Sequence, residues 1–430
     1  MPVTRRGFLS LLGSHRDEES IAQFIAARGH EALMGEEFSA TGQAATQGQA
    51  GQGRGGGAGR GGGGGGRGGG AGAPQLPEGV EVIRISSNEN PLGPGRHVIN
   101  AIVNKFPEAG RYPFNSTPNE GKLAETIAAL HKAKPEHVVL GAGSQEILKS
   151  AIRAFTSPFR PLVTAAPTFE NCTGLARRLG HPVHEVKVDS QLRLELEGML
   201  TVARGAGLIF LNNPNNPTAT VHGLKAVTDF VHRVRRISPD TVILIDEAYH
   251  EYVTDPDYQT AIPLAMSEPN VFVARTFSKA YGMAGMRIGY AIGSTDSVRP
   301  LARVKMPYNI SVFGIAAAIA AVGDMKHIEA ERARNTAVKA TTVKMFEELG
   351  AKPTASHGNF IFVDVGQPAS QFRAACGKMG VNVGRDFPPY EHSHVRISIG
   401  TEAEMKRANT VFRDVLRPVA PSANGSGGRR

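Results

Sequence analysis

Only two cysteines, Cys172 and Cys376, occur in 430 residues. That scarcity excludes a disulfide framework and any multi-cysteine metal cluster, while a single bridge between the two stays open. No run of about 18 apolar residues exists, which excludes a hydrophobic helix spanning a membrane. A concentrated basic block is missing as well. The formal net charge is +9, but Arg177-Arg178, Arg233, Arg235-Arg236 and Arg303 are scattered along the chain. Cations on solvated helix faces account for this balance more simply than a nucleic-acid surface does. The same balance suits small anionic substrates.

Glycine is the one excess. Of 51 glycines, 16 fall between Gly51 and Gly72. Gly-rich chain cannot offset its ordering entropy by burial, so residues 40–79 are expected to form a disordered linker. Arg54, Arg60 and Arg67 give this tract an RGG-like character, with nucleic-acid binding as its implied alternative role. No aromatic residue interleaves them, and base stacking needs one, so a linker is preferred. Residues 1–39 read as a signal-like leader. Arg5-Arg6, Gly7, Phe8 and Leu9 resemble the start of a twin-arginine export signal, but the apolar run is short and meets His15, Arg16, Asp17, Glu18 and Glu19. A cytoplasmic location is preferred, with twin-arginine export to the periplasm as the alternative. Residues 419–430 are expected to be a disordered tail.

From Val80 onward, short β-branched runs alternate with longer amphipathic stretches. Strands are expected at 137–141, 161–166, 207–213, 241–248, 271–278 and 287–293. Their continuous apolar character indicates burial on both faces. Helices are expected at 120–131, 223–236, 310–323 and 326–349. Another covers SQEILKSAIRAF, where Ile147, Leu148, Ala151, Ile152 and Phe155 follow helical spacing. This alternation predicts an α/β fold with a large, mostly parallel sheet and crossover helices, over residues 80–325 including an N-terminal arm. A smaller α+β domain is expected over 326–418, with strands NFIFVDV, VNVGRDF and HVRISIG and a helix from about Thr401 to Leu416.

Ligands in such sheets gather beyond the carboxyl ends of the strands, and five motifs fall there. Gly141-Ala142-Gly143-Ser144-Gln145 joins a strand to a helix N-terminus and could cradle an anion; any strand-to-helix turn can look like this. In PTFENC, Phe169 could stack on a planar ring or simply fill the core. LNNPNNPTAT, holding Asn216, reads equally as a turn. In ILIDEAYHEY, Asp246 and Glu247 close an apolar strand, where a carboxylate is costly without a cation; Tyr249 follows. In VARTFSKAYGMAGMRIGY, Lys279 follows a buried strand beside Thr276, Ser278 and Arg287. Desolvation and neighbouring cations would keep its amine neutral and nucleophilic, as a Schiff-base lysine requires.

Taken in this order, the motifs resemble the fold-type I pyridoxal-phosphate enzymes, within them the class I/II aminotransferases, and most closely histidinol-phosphate aminotransferase. SSNENPLGP, GRYP, KMPYNIS, HGNFIF, VGRDF and VRISIGT extend the similarity over about 80–418. The resemblance implies pyridoxal 5'-phosphate as cofactor, held by Lys279. Asp246 would pair with the ring nitrogen, Asn216 and Tyr249 would bond the phenolic oxygen, and Phe169 would stack on the ring. Ala142, Gly143, Ser144, Thr276, Ser278 and Arg287 would hold the phosphate. Tyr112 would reach it from a partner subunit, implying a homodimer. Arg385, Arg396 and Asn359 would bind substrate. The reaction implied is L-histidinol phosphate plus 2-oxoglutarate to imidazole acetol phosphate and L-glutamate, by a ping-pong route in which Lys279 also serves as general base. Ala142, Gln145, Phe169 and Ala219 depart from the usual pattern. They leave open another amino donor, such as an aromatic amino acid, or a decarboxylase of the threonine-phosphate type.

Overall fold

The computed structural model describes residues 81–416. The leader, the glycine-rich tract with its three arginines, and the 419–430 tail therefore lie outside the described residues. Twelve strands are described: β1 (Ile83–Ile85), β2 (Val138–Ala142), β3 (Leu162–Ala166), β4 (Val183–Lys187), β5 (Leu208–Asn212), β6 (Val242–Asp246), β7 (Val271–Thr276), β8 (Ile288–Gly293), β9 (Lys352–Pro353), β10 (Phe360–Asp364), β11 (Val381–Val383) and β12 (His394–Ser398). Seven of them form one sheet in the order β2-β8-β7-β6-β5-β3-β4.

Continuous apolar runs form these strands because both faces of the sheet are covered. Along β5, Leu208 and Phe210 enter one hydrophobic cluster while Ile209 and Leu211 enter another. In β6, Val242 and Leu244 join the cluster of Leu208 and Phe210, and Ile243 and Ile245 that of Ile209 and Leu211. Each strand residue thus buries its side chain whichever way the pleat points it. The helix Leu224–Ile237 supplies Val227, Phe230, Val231 and Val234 to one cover, at helical spacing. The helix Ser144–Phe155 supplies Ile147, Leu148, Ala151 and Ile152 to the other.

The strands β3, β4, β5, β6 and β7 are mutually parallel, while β8 runs antiparallel between β7 and β2. That reversal matters for the site. It sets the start of β8, with Arg287 just before it, at the edge where the parallel strands end: Gly289 is opposite Thr276, and Ile288 is opposite Ala142.

The C-terminal part is a three-stranded antiparallel sheet, β12-β10-β9, with its own cluster that includes Phe346, Phe372 and Phe412. The N-terminal arm does not stay with the large sheet. β1 pairs in parallel with β11, and Ile83 and Ile85 are buried in the C-terminal cluster. Three residues of strand offer too weak a local pattern to reveal a partner some 300 positions away. Other elements escape the sequence pattern too, among them β4, the exposed sheet edge without an apolar run, the helix Asn171–Arg178, the helix Thr295–Val304, and the helix Ala369–Lys378 between β10 and β11. Cys172 and Cys376 are both free and buried, in separate clusters, so no bridge joins them. Among the described residues, no helix is long and apolar enough to cross a membrane.

Candidate active site

The carboxyl ends of β3, β5, β6 and β7 and the start of the helix Ser144–Phe155 surround a cavity of about 680 Å³. Its walls include Ser144, Phe169, Asn216, Asp246, Tyr249, Thr276, Ser278, Lys279, Arg287, Arg385 and Arg396. Residues from all five motifs are thus brought together with two arginines from VGRDF and VRISIGT.

Lys279 is the centre of the arrangement. Its Nζ donates to the backbone oxygens of Ser87 and Asn88 at 3.2 and 2.9 Å. Burial pushes its pKa down to about 7; Arg396 and Arg287 push the same way, against the pull of Glu89 and Asp246. A large neutral fraction of amine near pH 7 follows, as a nucleophile and base requires. Asp246, at the end of β6, is pushed up to about 7, chiefly by burial, with Glu247 adding to the rise. The amide of Ala248 and the charge of Lys279 oppose it. Such a carboxylate is short of a cation.

Tyr249 is buried, with its hydroxyl pushed up to about 12, again mainly by burial. The side-chain amide of Asn88 donates to that hydroxyl at 3.1 Å, and the Lys279 amine lies 5.5 Å from the ring centroid. Asn88 is a hub that motif reading left without a role. Its backbone takes φ +56°, a left-handed conformation that asparagine tolerates better than most residues. Its N–H donates to Ser398 Oγ, which in turn donates to its Oδ1. Ser86, Ser87, Asn88 and Glu89 all line the cavity. They arrive there because β1 is anchored to β11. The SSNENP stretch that holds them, starting at Ser86, was the available sequence signal.

An anion cradle forms at one end. Gly143 has φ +74°, and a Cβ built there would lie 2.3 Å from Arg287 Nη2. Only glycine therefore lets the arginine sit against the helix start. Arg287 Nη1 donates to Ser278 Oγ at 3.3 Å, and Thr276 Oγ1 donates to the same oxygen at 3.0 Å. Hydroxyls, a guanidinium and a helix N-terminus converge, which is the donor set a phosphate requires. Ala142 and Gly143 do not line the cavity. The Ala142 N–H is taken by the carboxylate of Glu146 at 2.7 Å, so its amide is turned away from the cradle.

Arg396 on β12 is buried. It donates to Asn216 Oδ1 at 2.8 Å and to the backbone oxygen of Ser86. Burial lowers its pKa to about 10. Arg396 and Arg385 both lie against the ring of Phe387, at 4.9 and 4.3 Å from its centroid. Asn359 does not line the cavity. It donates from behind to the backbone oxygens of Asn88 and Glu89 at 3.1 and 3.3 Å, and so positions that segment. Tyr112 is 66% exposed, away from the cavity, in contact with Phe114 and Tyr308. Arg373 is a cavity residue the motifs did not mark. Ala219, in the Asn216 loop, has φ +61°, a conformation that glycine adopts with less strain.

The residues fit pyridoxal 5'-phosphate. The cradle needs Gly143 bare, Asp246 lacks a cation that a protonated ring nitrogen would supply, and Lys279 is part-buried with a lowered pKa. Residues 80–412 match the aminotransferase class I and II family. A histidinol-phosphate aminotransferase of Moorella thermoacetica is 33% identical over 343 residues, 79% of this chain and 86% of the relative. The crystal structure of histidinol-phosphate aminotransferase from Sinorhizobium meliloti in complex with pyridoxal 5'-phosphate superimposes with a TM-score of 0.72 at 28% identity, over 79% of this chain and 92% of that one. Thermus thermophilus aspartate aminotransferase shares the fold, with a TM-score of 0.69 at 21% identity over 78% and 92% of the two chains. The geometry and these similarities agree: the chain belongs to the class I and II aminotransferases, pyridoxal-phosphate enzymes of fold-type I.

Proposed function

We propose that the amino donor is L-histidinol phosphate and the acceptor 2-oxoglutarate, exchanged by a ping-pong route. One observation carries this reading: two guanidiniums, Arg385 and Arg396, lie on the single ring of Phe387 within the cavity that holds Lys279. A guanidinium matches phosphate and carboxylate alike, so one site can take the donor's phosphate and then the acceptor's carboxylate. The names of the relatives support the same donor.

The bound cofactor supplies an electron sink for the Cα carbanion. The protein does the rest. Lys279 would carry the Cα proton on Nζ. Asp246 would pair with the ring nitrogen and keep it positive, and Tyr249 and Asn216 would bond the ring oxygen. Phe169 would stack on the ring, and Ser144, Thr276, Ser278 and Arg287 would hold the phosphate.

The active unit in this reading is a homodimer. Leu92, Phe106, Tyr112, Phe114, Met306 and Tyr308 are each more than half exposed, and Tyr112, Phe114 and Tyr308 touch one another. An apolar group of this kind suits a self-association surface.

The test is a donor titration of the holoenzyme followed by its visible spectrum. Histidinol phosphate is expected to bleach the cofactor band at lower concentration than phenylalanine or unphosphorylated histidinol. Arg385→Ala is expected to raise KM for histidinol phosphate more than for phenylalanine. Equal response to all three donors would overturn the substrate assignment.

A further inference from the structure

Arg385 is already paired. Its Nη1 donates to Glu170 Oε1 at 2.9 Å, and Nη2 lies 2.8 Å from Oε2. This is the two-pronged fork that a substrate carboxylate or phosphate would make with the same guanidinium. The other contacts of Arg385 hold it in place: Nη1 also donates to the Asp386 backbone oxygen at 3.1 Å, and the guanidinium covers Phe387. Glu170 differs. Its backbone is held as the residue preceding the helix Asn171–Arg178, with its carbonyl accepting from Thr173 Oγ1 and the Gly174 N–H. Its side chain, however, is half-exposed and can turn to water.

Arg396 contrasts with this. Its acceptors, Asn216 Oδ1 and the Ser86 carbonyl, are neutral, and its buried Nε has no partner. The two arginines on one ring are therefore unequal: the charge of Arg396 awaits an anion, and that of Arg385 is met by Glu170. Glu170 also comes from a distant part of the chain. It follows β3 and Phe169, whereas Arg385 follows β11, so the pair joins two sides of the cavity.

We propose that Glu170 sets the anion affinity of this site, as an internal competitor that occupies Arg385 and must be displaced by a substrate anion. The inference rests on the aminotransferase reading for the role of Arg385 toward substrate. Half-exposed ion pairs are weak, so the competition lowers anion affinity by about three- to fivefold. A ligand with one carboxylate exchanges like for like at Arg385 and is held mainly by Arg396. A phosphate dianion brings more charge and more acceptor oxygens, and it can engage both guanidiniums. The displaced carboxylate also stands ready to reclaim Arg385 as product leaves. This suits a reaction in which each acidic product must depart before the next substrate enters.

Calorimetric titration of the holoenzyme with inorganic phosphate, and separately with glutarate, tests this; the cofactor fills its own phosphate cradle. The variants are Glu170→Gln, Glu170→Ser, Arg385→Ala and Glu170→Gln with Arg385→Ala. Both Glu170 variants are expected to bind each anion about three- to fivefold tighter, and the gain is expected to vanish in the Arg385→Ala background. A gain of equal size in that background would mean that Glu170 acts as a distant charge, and it overturns the proposal. Unchanged or weaker binding by the Glu170 variants overturns it too. Failure of the holoenzyme to transaminate histidinol phosphate would remove the substrate assignment while leaving these titrations decisive for Glu170.

Discussion

At the scale of single residues, the site works by holding groups in charge states that water would not allow. Lys279 and Asp246 both have pKa values near 7, the lysine lowered from the ordinary 10.5 and the aspartate raised from 3.8, each chiefly by burial. Lowering a lysine's pKa disfavours its protonated form in the folded protein, so the neutral amine prevails above about pH 7 rather than above about pH 10. Capture of pyridoxal phosphate by the cofactor-free protein needs that neutral amine. Its rate is therefore expected to rise with pH up to about 7 and then level off, followed by the growth of the cofactor's visible band. A rate that climbs on toward pH 10 would mark Lys279 as an ordinary lysine. The linked effect on stability has the same sign: between these pH values the unfolded lysine binds more protons than the folded one, so its contribution favours folding as pH rises. The contribution of Asp246 runs the other way from about pH 4 to 7, because there the folded aspartate binds more protons.

At the scale of elements, the ends of β6 and β7 need a brace, because each presents polar groups to the site from a buried strand. Behind the site, Arg275 of β7 contacts Glu247 Oε2 through Nε at 2.8 Å and Nη2 at 2.7 Å, and reaches Glu251 at 3.4 Å. Glu247 also accepts from Thr260 Oγ1 and from the Ala261 N–H. All three charged groups are buried. Removing one member of such a set leaves an uncompensated charge, which costs about 3–5 kcal/mol. Glu247→Ala is expected to lower stability by that amount in urea unfolding, although Glu247 does not line the cavity. A loss under about 1 kcal/mol would show that the network contributes little. The strands themselves were legible in sequence, since apolar residues facing two covers leave a continuous run. The edge strand β4 was not, because it lacks the second cover that produces such a run.

At the scale of the whole molecule, the cavity is built by pieces remote in sequence. The large sheet provides the cofactor-facing residues, β12 and the segment after β11 provide the arginines, and β1 carries the 86–90 segment into place. Tyr112, Phe114 and Tyr308 remain exposed together outside this assembly. If they form the dimer contact, Tyr308→Asp should shift the protein toward monomer in sedimentation velocity and weaken cofactor retention, because Tyr112 would lose its partner site. A variant that stays dimeric with unchanged cofactor affinity would place the interface elsewhere.

The sequence by itself determined the chemistry. Asp246, Lys279 and Arg287 belong to local motifs set by strand ends and turns, and local pattern is what a sequence displays directly. Tertiary structure decided which groups meet across distance. It placed Asn88 against Tyr249 and Lys279, set Asn359 behind the cavity and laid Glu170 on Arg385. Those contacts depend on strand pairing and loop packing between segments as much as about 300 residues apart, and no local periodicity encodes them.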